Sequence, residues 1–434
     1  MRSIYLGARQ VVVWLGEEDD AKIALDYFQT PYNKRNEALS RTVFNACQAL
    51  FLQRPWWSRT WILQEVLHHN PVLVHLGNII LSLDEICDHG SLWDLERWAC
   101  EMRYPEWVER KDNELQVFET VDVGIAEFDP VMTIGEQRKL LKENPDKLTG
   151  RPEQAPTLSL IKALQSYRSH QCGRQVDKVF ALIGMADLGL YEPLIDYNMS
   201  KRATYTATMQ SIFERDALLL VESPQRPISS MELPSWVPDW TTQQTLLAMH
   251  LAADLKKFNT VPVSDEFPLG SLRKQEEPYS FRGDTLVLQA IHVGTIISAC
   301  FTMVRFGERG PPQTVKLFKY TESPSFEQEG VNHSANVAGD YVRDVSSVSL
   351  LKTNNSSLGP YWAEKGDIIV ITTLSSIPIV LRRNAKSFLL VGGCWLVDSK
   401  LAGNIMSPGQ DPGFSKIMYG SAWSESKLEK FYII

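Results

Sequence analysis

Two short apolar runs rich in β-branched residues constrain the fold of this chain more than any other feature. The first covers Val11–Leu15, the second covers Val72–Gly77, and helical sequence lies between them, over Ala21–Phe28 and up to about Gln53. Such runs are typical of strands that are buried on both faces. Because a strand, helix, strand order indicates parallel pairing, we predict a parallel α/β layer here, with Val11–Leu15 as a central strand.

A tryptophan-rich segment precedes the second run. Arg54-Pro55 is typical of a helix start, since proline suits the first helical turn, and the helical pattern continues through Leu67. A histidine pair, His68-His69, then ends the helix ahead of Pro71. Neighbouring histidines point about 100° apart on a helix, so they are interpreted as helix-end residues and no metal site is predicted.

Beyond residue 82 the sequence pattern changes twice. Residues 83–260 are mainly helical in pattern, and residues 281–434 predict a small β-rich C-terminal region. The predicted strands of that region are Thr285–Ile291, Ile368–Thr372, Pro378–Leu381 and Ser387–Val391. The stretch 320–358 is rich in Ser, Asn and Glu and is predicted to be an exposed insertion. We therefore expect three regions, 1–82, 83–260 and 281–434.

Composition excludes several classes of protein. The formal net charge of −8 over 434 residues argues against nucleic-acid binding, which needs concentrated Lys and Arg. The six cysteines are scattered without a close pair, which favours a reducing, cytoplasmic location over a disulfide scaffold or a zinc ribbon. No apolar run reaches the roughly 20 residues that span a bilayer, so no membrane span is predicted.

Several sequence blocks resemble the fungal heterokaryon-incompatibility (HET) domain and the segments that commonly follow it. Those of the domain are Val11–Gly16, with Ile4-Tyr5 ahead of it, and Arg54–Val66. Those downstream are Asp177–Gly184, Ile195–Tyr197, Leu233–Trp240 and the looser tail motifs Gly366–Ile368, Pro378–Arg382 and Val391–Cys394. The Ser-Tyr, Trp-Gly type and Cys-Ile-Asn-Gln type motifs with which HET domains begin are not found. The resemblance therefore predicts a chain that starts inside the domain, through a lost first exon or as a shortened paralogue.

The resemblance also implies a chemistry. HET domains are similar to the Toll/interleukin-receptor (TIR) fold, some members of which cleave NAD at the nicotinamide-ribose bond, so a partial TIR-like doubly wound sheet is expected. On the predicted helix, Ser58, Trp61 and Glu65 lie on one face. Glu65 is the candidate catalytic carboxylate, because it can stabilise the oxocarbenium-like ribose. Ser58 and Trp61 are its candidate supporting residues, NAD is the possible substrate, and no cofactor is expected. Cleavage is expected only when the missing N-terminal strands of the domain are restored.

Three alternatives stay open at this stage. The same spacing is shown by an ordinary helix that packs on a sheet, with Glu65 paired to a neighbouring Arg. The domain can also be a non-catalytic module that signals by self-association or with protein partners, or the chain can be an inactive truncated paralogue with an open strand edge. Trp236 and Trp240 are interpreted as a rigid aromatic corner packed on the helical region, with a binding surface as the less favoured reading.

Overall fold

The computed structural model forms two compact units. Unit 1 comprises residues 1–111, 125–208 and 240–243, and unit 2 comprises residues 112–124, 209–239 and 244–434. The residues that the structure describes are 2–17, 21–31, 34, 40–68, 70–87, 92, 95, 129–143, 160–186, 191, 194–214, 233–241, 279–305, 312–322, 356–359, 362–372, 379–394 and 428–434. The predicted boundaries after residues 82 and 260 stay predictions.

Unit 1 alternates helices with a small sheet. Its elements are α1 (Arg2–Gly7), β1 (Val11–Trp14), α2 (Ala21–Gln29), α3 (Arg41–Phe51), a 3-10 helix (Thr60–Ile62), α4 (Leu63–Val66), β2 (Val72–Leu76), β3 (Ile79–Ser82), α5 (Leu83–Ile86), α6 (Asp129–Glu143), α7 (Leu160–Ser166), α8 (Asp177–Ile183) and α9 (Lys201–Phe213). The last helix, α9, continues into unit 2 from Met209. No helix in the described part of the chain is long and apolar enough to cross a membrane.

The sheet of unit 1 has the order β1-β2-β3 among the described residues. β1 and β2 pair in parallel with Val11 opposite Val72, which confirms the predicted parallel pairing. β3 adds an antiparallel edge that sequence reasoning did not predict. The turn between β2 and β3 passes through Gly77, whose φ of 55° lies in the left-handed region that glycine enters without a steric cost. The N-terminal layer is therefore mixed, with a parallel pair at its start.

The prediction that β1 is a central strand buried on both faces is wrong. Val11 and Val13 are buried, but Val12 and Trp14 on the other face are 54% and 59% exposed. β1 also stands at the end of the strand order within the described residues. An unbroken apolar run does not distinguish a doubly buried strand from one with an exposed apolar face, because both lack polar residues.

The predicted single helix from Arg54 to Leu67 is also wrong. Residues 55–58 form turns, and only Thr60–Ile62 and Leu63–Val66 are helical. The reason lies in tertiary pairing: Thr60 N–H donates to Gln171 O at 2.8 Å, and Gln171 N–H donates to Ser58 O. These bonds hold the segment in an extended bridge, in place of bonds within a helix.

Unit 2 is β-rich, as predicted. Its strands are β4 (Tyr279–Arg282), β5 (Thr285–Arg305), β6 (Pro312–Glu322), β7 (Ser356–Gly359), β8 (Ile368–Thr372), β9 (Ile379–Asn384), β10 (Ser387–Gly393) and β11 (Glu429–Ile433). Pairing runs β5-β8-β9-β10-β11 and returns from β11 to β5, which closes a five-stranded ring. The predicted insertion at 320–358 falls outside the described residues except for its two ends, which lie in β6 and β7.

Two of the tail motifs meet where β8 begins beside β9. Arg382 on β9 donates two hydrogen bonds to the buried carboxylate of Asp367, at 2.8 and 2.9 Å, and a third to Trp362 O at 2.6 Å. Gly366 precedes that aspartate with a φ of 95°, a backbone conformation that L side chains rarely adopt. The Gly-Asp and Leu-Arg motifs are therefore two halves of one structural ion pair.

The two tryptophans of the Pro-Ser-Trp-Val-Pro-Asp-Trp motif are fully buried. Within unit 1, Trp240 packs against Tyr205 of α9, with 4.7 Å between ring centroids. Within unit 2, Trp236 donates from its indole N–H to Asp284 O at 2.9 Å and packs on Phe281. The aromatic-corner interpretation is confirmed, and burial leaves neither ring available as a binding surface.

Candidate functional site

The tryptophan-rich block lies against α8, whose sequence is another of the quoted motifs. Gln64 donates from its side-chain amide to Ala181 O at 2.7 Å. A Cβ at Gly184 would lie 2.8 Å from that same amide nitrogen, so a larger residue there would displace the Gln64 side chain. Two motifs that are more than a hundred residues apart in sequence therefore form one core in unit 1.

A third motif joins this core through Tyr197. Its hydroxyl donates to Asp177 Oδ1 at 3.0 Å, and its ring lies 5.0 Å from that of Phe180. Arg174 stacks over the same ring at 4.6 Å and donates to Tyr197 O at 3.0 Å. The Ile-Asp-Tyr motif thus packs against the start of α8.

Glu65, the candidate catalytic residue, is half-buried on α4. Burial raises the pKa of its carboxyl group, while the positive charge of Arg59 and a hydrogen bond from the Trp56 side chain oppose that rise. Tyr5 on α1 is also close to Glu65. Burial raises the pKa of its phenol, and the negative charge of Glu65 adds to that rise. The site around Glu65 is therefore a half-buried carboxyl group between an indole N–H, a guanidinium and a phenol.

Ser58 does not share a helical face with Glu65. Ser58 lies in the turn before the 3-10 helix, and its hydroxyl donates to Pro55 O at 3.2 Å. Trp61 is half-buried within the 3-10 helix. The structure brings Trp56 and Arg59 to Glu65. Arg59 agrees with the alternative in which Glu65 pairs with a neighbouring Arg, whereas the contact with Trp56 was not predicted. Trp56 stands in the quoted block, but the assumption of one helix hid its proximity.

The position of Glu65 relative to the sheet follows from the chain direction. α4 leads into the amino end of β2, and Glu65 O accepts a hydrogen bond from the His68 side chain in the connecting turn. Open parallel sheets bind nucleotides at the carboxyl ends of their strands. At that end of β1, Arg54 donates to Leu15 O and Glu17 O. Glu65 is thus near the edge opposite to the usual nucleotide site.

His68 and Asn70 anchor the turn that enters β2. Asn70 N–H donates to His68 Nδ1 at 3.1 Å, so the ring is neutral with its proton on Nε2. The Asn70 side chain donates to Tyr5 O, Leu6 O and Ala8 O, at 2.9, 3.2 and 2.7 Å, and so caps the carboxyl end of α1. The helix-end interpretation of His68 is confirmed, and His69 lies outside the described residues.

A buried arginine on α6 supports the same turn from the other side. Arg138 donates to the carboxylate of Asp84 through Nε at 2.6 Å and Nη2 at 3.0 Å. It also donates to the backbone oxygens of Val66, His68 and Asn70. Three of the five hydrogen bonds from this guanidinium therefore fix the end of the helix that carries the candidate carboxylate, and the other two join it to α5.

His170 is a fully buried titratable group of unit 1. Its side chain is 0% exposed, and neither ring nitrogen has a hydrogen-bond partner among the described residues. Burial, together with the charge of the buried Lys178, lowers its pKa to about 3. Tyr167 packs edge-on against the ring at 5.6 Å. His170 is therefore held neutral, and protonation is compatible with the unfolded chain but not with this core.

We expect His170 to make the free energy of unfolding depend on pH. The unfolded imidazole takes up a proton below about pH 6.5, whereas the folded one does so only near its lowered pKa of about 3. The contribution of His170 to the free energy of unfolding is therefore complete above pH 6.5. It falls by roughly 1.4 kcal/mol for each pH unit between pH 6.5 and pH 3. Urea unfolding at pH 7 and pH 5 measures this loss.

The His170→Gln variant should lose roughly 2 kcal/mol less than the original chain between those two pH values. His75→Gln, on the exposed face of the sheet, is the matched control and should keep the original pH dependence. An unchanged pH dependence in His170→Gln would contradict the assignment.

The described residues contain no group of three or more His, Cys, Asp or Glu that could hold a metal ion. What they define is a mixed α/β unit whose motif blocks pack on one another around α8. Residues 1–65 match the model of a family described as heterokaryon incompatibility protein (HET). The resemblance to the HET domain is therefore confirmed for this segment, which ends at Glu65. No curated protein and no solved structure matches the chain.

Proposed function

We propose that this chain acts in self/non-self recognition of the heterokaryon-incompatibility type in a fungal cytoplasm, and that recognition leads to cell death. The observation that carries the proposal is the HET match over residues 1–65. The packing of Gln64 against Ala181 and Gly184 supports it, because the matched segment and a downstream motif of the same resemblance fold into one unit.

In the first mechanism, unit 1 is a TIR-like domain that cleaves NAD. Breaking the nicotinamide-ribose bond leaves positive charge on the ribose, which a nearby carboxylate stabilises. Glu65 is the carboxylate in this mechanism, held by Trp56 and Arg59, with Trp61 and Ser58 as flanking residues. The raised pKa of Glu65 supports this role, since burial and charged neighbours are the means by which active sites tune carboxyl groups.

The test of this mechanism is the Glu65→Gln variant. The amide oxygen still accepts the Trp56 N–H, so the fold is retained while the negative charge is removed. We expect nicotinamide release from NAD to fall by roughly 100-fold or more. Release is measured by chromatography on the purified chain, with circular dichroism as the check on folding.

Glu85→Gln is the matched control for this test. Glu85 accepts the Ser82 N–H in the capping box of α5, and an amide oxygen preserves that bond. Nicotinamide release should be unchanged in this variant. If Glu65→Gln releases as much nicotinamide as the original chain, the enzymatic mechanism is ruled out.

The second mechanism is signalling by association without catalysis. The exposed apolar face of the sheet, with Val12 and Trp14, favours it, because such surfaces mark interaction sites. Overexpression separates the two mechanisms. Cell death that persists with a folded Glu65→Gln variant supports association, whereas its loss supports NAD cleavage.

A further inference from the structure

Residues 54–67 are held in a conformation that their own sequence does not favour. An early proline and the apolar spacing predict one continuous helix, but turns occupy 55–58 and only short helical segments follow. Within the turns, Arg59 N–H donates to Trp56 O at 3.2 Å, at the upper limit of the usual hydrogen-bond range. A conflict between local preference and tertiary structure marks a segment that can change conformation.

A residue of another segment imposes the turns. Gln171 O accepts the Thr60 N–H at 2.8 Å and the Thr60 hydroxyl at 3.0 Å, and Gln171 N–H donates to Ser58 O. We call these three bonds the Gln171 bridge. In a continuous helix, Ser58 O and Thr60 N–H would bond within the helix, so refolding exchanges the partners of these groups without leaving them unpaired.

The segment that provides Gln171 is costly to bury. Tyr167, Ser169 and His170 precede it and are all buried, and the polar atoms of their side chains have no hydrogen-bond partner among the described residues. An unpaired polar atom opposes burial, because it gives up its bonds to water without replacement. Movement of this segment returns those atoms to water, which offsets part of the cost of breaking the bridge.

The two conformations give Glu65 different neighbours. In the bridged form, the charge of Arg59 and a hydrogen bond from Trp56 act on its carboxyl group. On a continuous helix, at about 100° per residue, Trp56 points about 180° and Arg59 about 120° away from Glu65, whereas Trp61 stays on the same face. Helix formation therefore withdraws Arg59 and Trp56 from the carboxylate and leaves its negative charge available to a substrate.

We propose that the Gln171 bridge is an autoinhibitory contact, and that its release lets residues 54–67 form one helix in which Glu65 is active. The inference rests on the NAD-cleaving form of the proposed function and names the regulation of that site. The bridged chain is the resting form, with the Glu65 charge offset by Arg59. Two packings of one sequence that differ little in free energy provide such a switch.

Arg59 offers a substitution that locks the bridged form. Its φ of −77° suits proline. In a continuous helix, a proline at this position lacks the N–H and clashes with the carbonyl group four residues before it. Arg59→Ala is the matched control, because it removes the same charge but permits the helix. Thr60→Val acts in the opposite direction, since it keeps the branched shape and loses the hydroxyl bond to Gln171 O.

Hydrogen exchange at the Gln171 amide measures how often the bridge opens, because Ser58 O protects that N–H. We expect exchange about fivefold faster in Thr60→Val, as the loss of one hydrogen bond predicts. Adding Arg59→Pro to Thr60→Val should restore the original rate, and adding Arg59→Ala should not. Gln171→Ala alters only an exposed side chain and should leave the opening unchanged. Circular dichroism confirms that the variants fold.

A second pair of variants tests helix formation without proline. Ser58→Ala and Ser58→Gly lose the same hydroxyl bond to Pro55 O. They differ in helix propensity, which is high for alanine and low for glycine. If the open form is a helix, exchange at the Gln171 amide should be about fivefold faster in Ser58→Ala than in Ser58→Gly.

Two exchange results would overturn the inference. They are fast exchange that persists when Arg59→Pro is added to Thr60→Val, and equal exchange in the two Ser58 variants. Nicotinamide release tests the proposed function separately. Release that rises in Thr60→Val supports both proposals, and release that is present but unchanged in Thr60→Val contradicts autoinhibition. The expected exchange without release from any variant retains the conformational change and removes the NAD-cleaving function.

Discussion

Replacing Arg138 by methionine is expected to lower the free energy of unfolding by about 3 to 5 kcal/mol, the usual cost of removing one partner of a buried ion pair. The guanidinium is 2% exposed and bonds to Asp84 and to the backbone oxygens of Val66, His68 and Asn70. Methionine fills a similar volume but donates nothing, so these oxygens lose their partner. Urea unfolding followed by circular dichroism measures the loss.

Lys142→Met is the control, because Lys142 pairs with the same carboxylate at 2.8 Å but is 54% exposed. An exposed pair contributes little, so we expect a loss of less than about 1 kcal/mol. Equal losses from the Lys142 and Arg138 variants would contradict the role given to Arg138. Burial alone would raise the pKa of the Asp84 carboxyl group. Arg138 and Lys142 together hold that pKa below its usual value.

Gly135→Ala is expected to be the most damaging small substitution in unit 1. A Cβ at this position of α6 would lie 2.2 Å from Cys87 O and 3.1 Å from Cys87 Cβ. The first contact is with backbone, so no side-chain rotation relieves it, and the two segments must separate. We expect a loss of about 3 kcal/mol or more, at or above the upper end for overpacking. Thermal unfolding of the purified chain measures it.

Gly173→Ala supplies the matched control. A Cβ there would meet no atom within 4 Å, and the φ of Gly173 lies outside the left-handed region. Alanine at such a position is neutral or stabilises by about 0.4 to 1 kcal/mol, because it restricts the unfolded chain. If both glycine variants unfold at the same temperature, the close approach of α6 to Cys87 is not rigid.

The sequence predicted the elements better than it predicted their surroundings. β-branched runs identified β1, β2 and four of the eight described strands of the β-rich region, β5, β8, β9 and β10, because side-chain period and composition are local properties. Whether the side chains of Val12 and Trp14 are buried depends on which residues pack against that face of the sheet. The sequence of β1 alone does not determine those residues. The parallel pairing of β1 with β2 was predictable, since helical sequence lies between the two runs.

The contact between Trp56 and Glu65 could not be predicted from a single continuous helix. On one continuous helix, Trp56 and Glu65 are nine positions apart, and at about 100° per residue they point to opposite sides. The turns at 55–58 bring the indole back to the carboxylate. Those turns persist because Ser58 and Thr60 pair with Gln171, a residue with no sequence signal that links it to this block. Local pattern cannot predict a conformation that a distant backbone group imposes.

The ring of unit 2 has a consequence for how the chain emerges from the ribosome. β11 closes the ring by pairing Phe431 with Leu288 of β5, across more than 140 residues of sequence. At synthesis rates of about 5 to 20 residues per second, β5 waits on the order of ten seconds for that partner. During this interval its edge is open to other nascent strands. Slow codons or chaperones that act on β5 would therefore change the yield of folded chain without altering any residue.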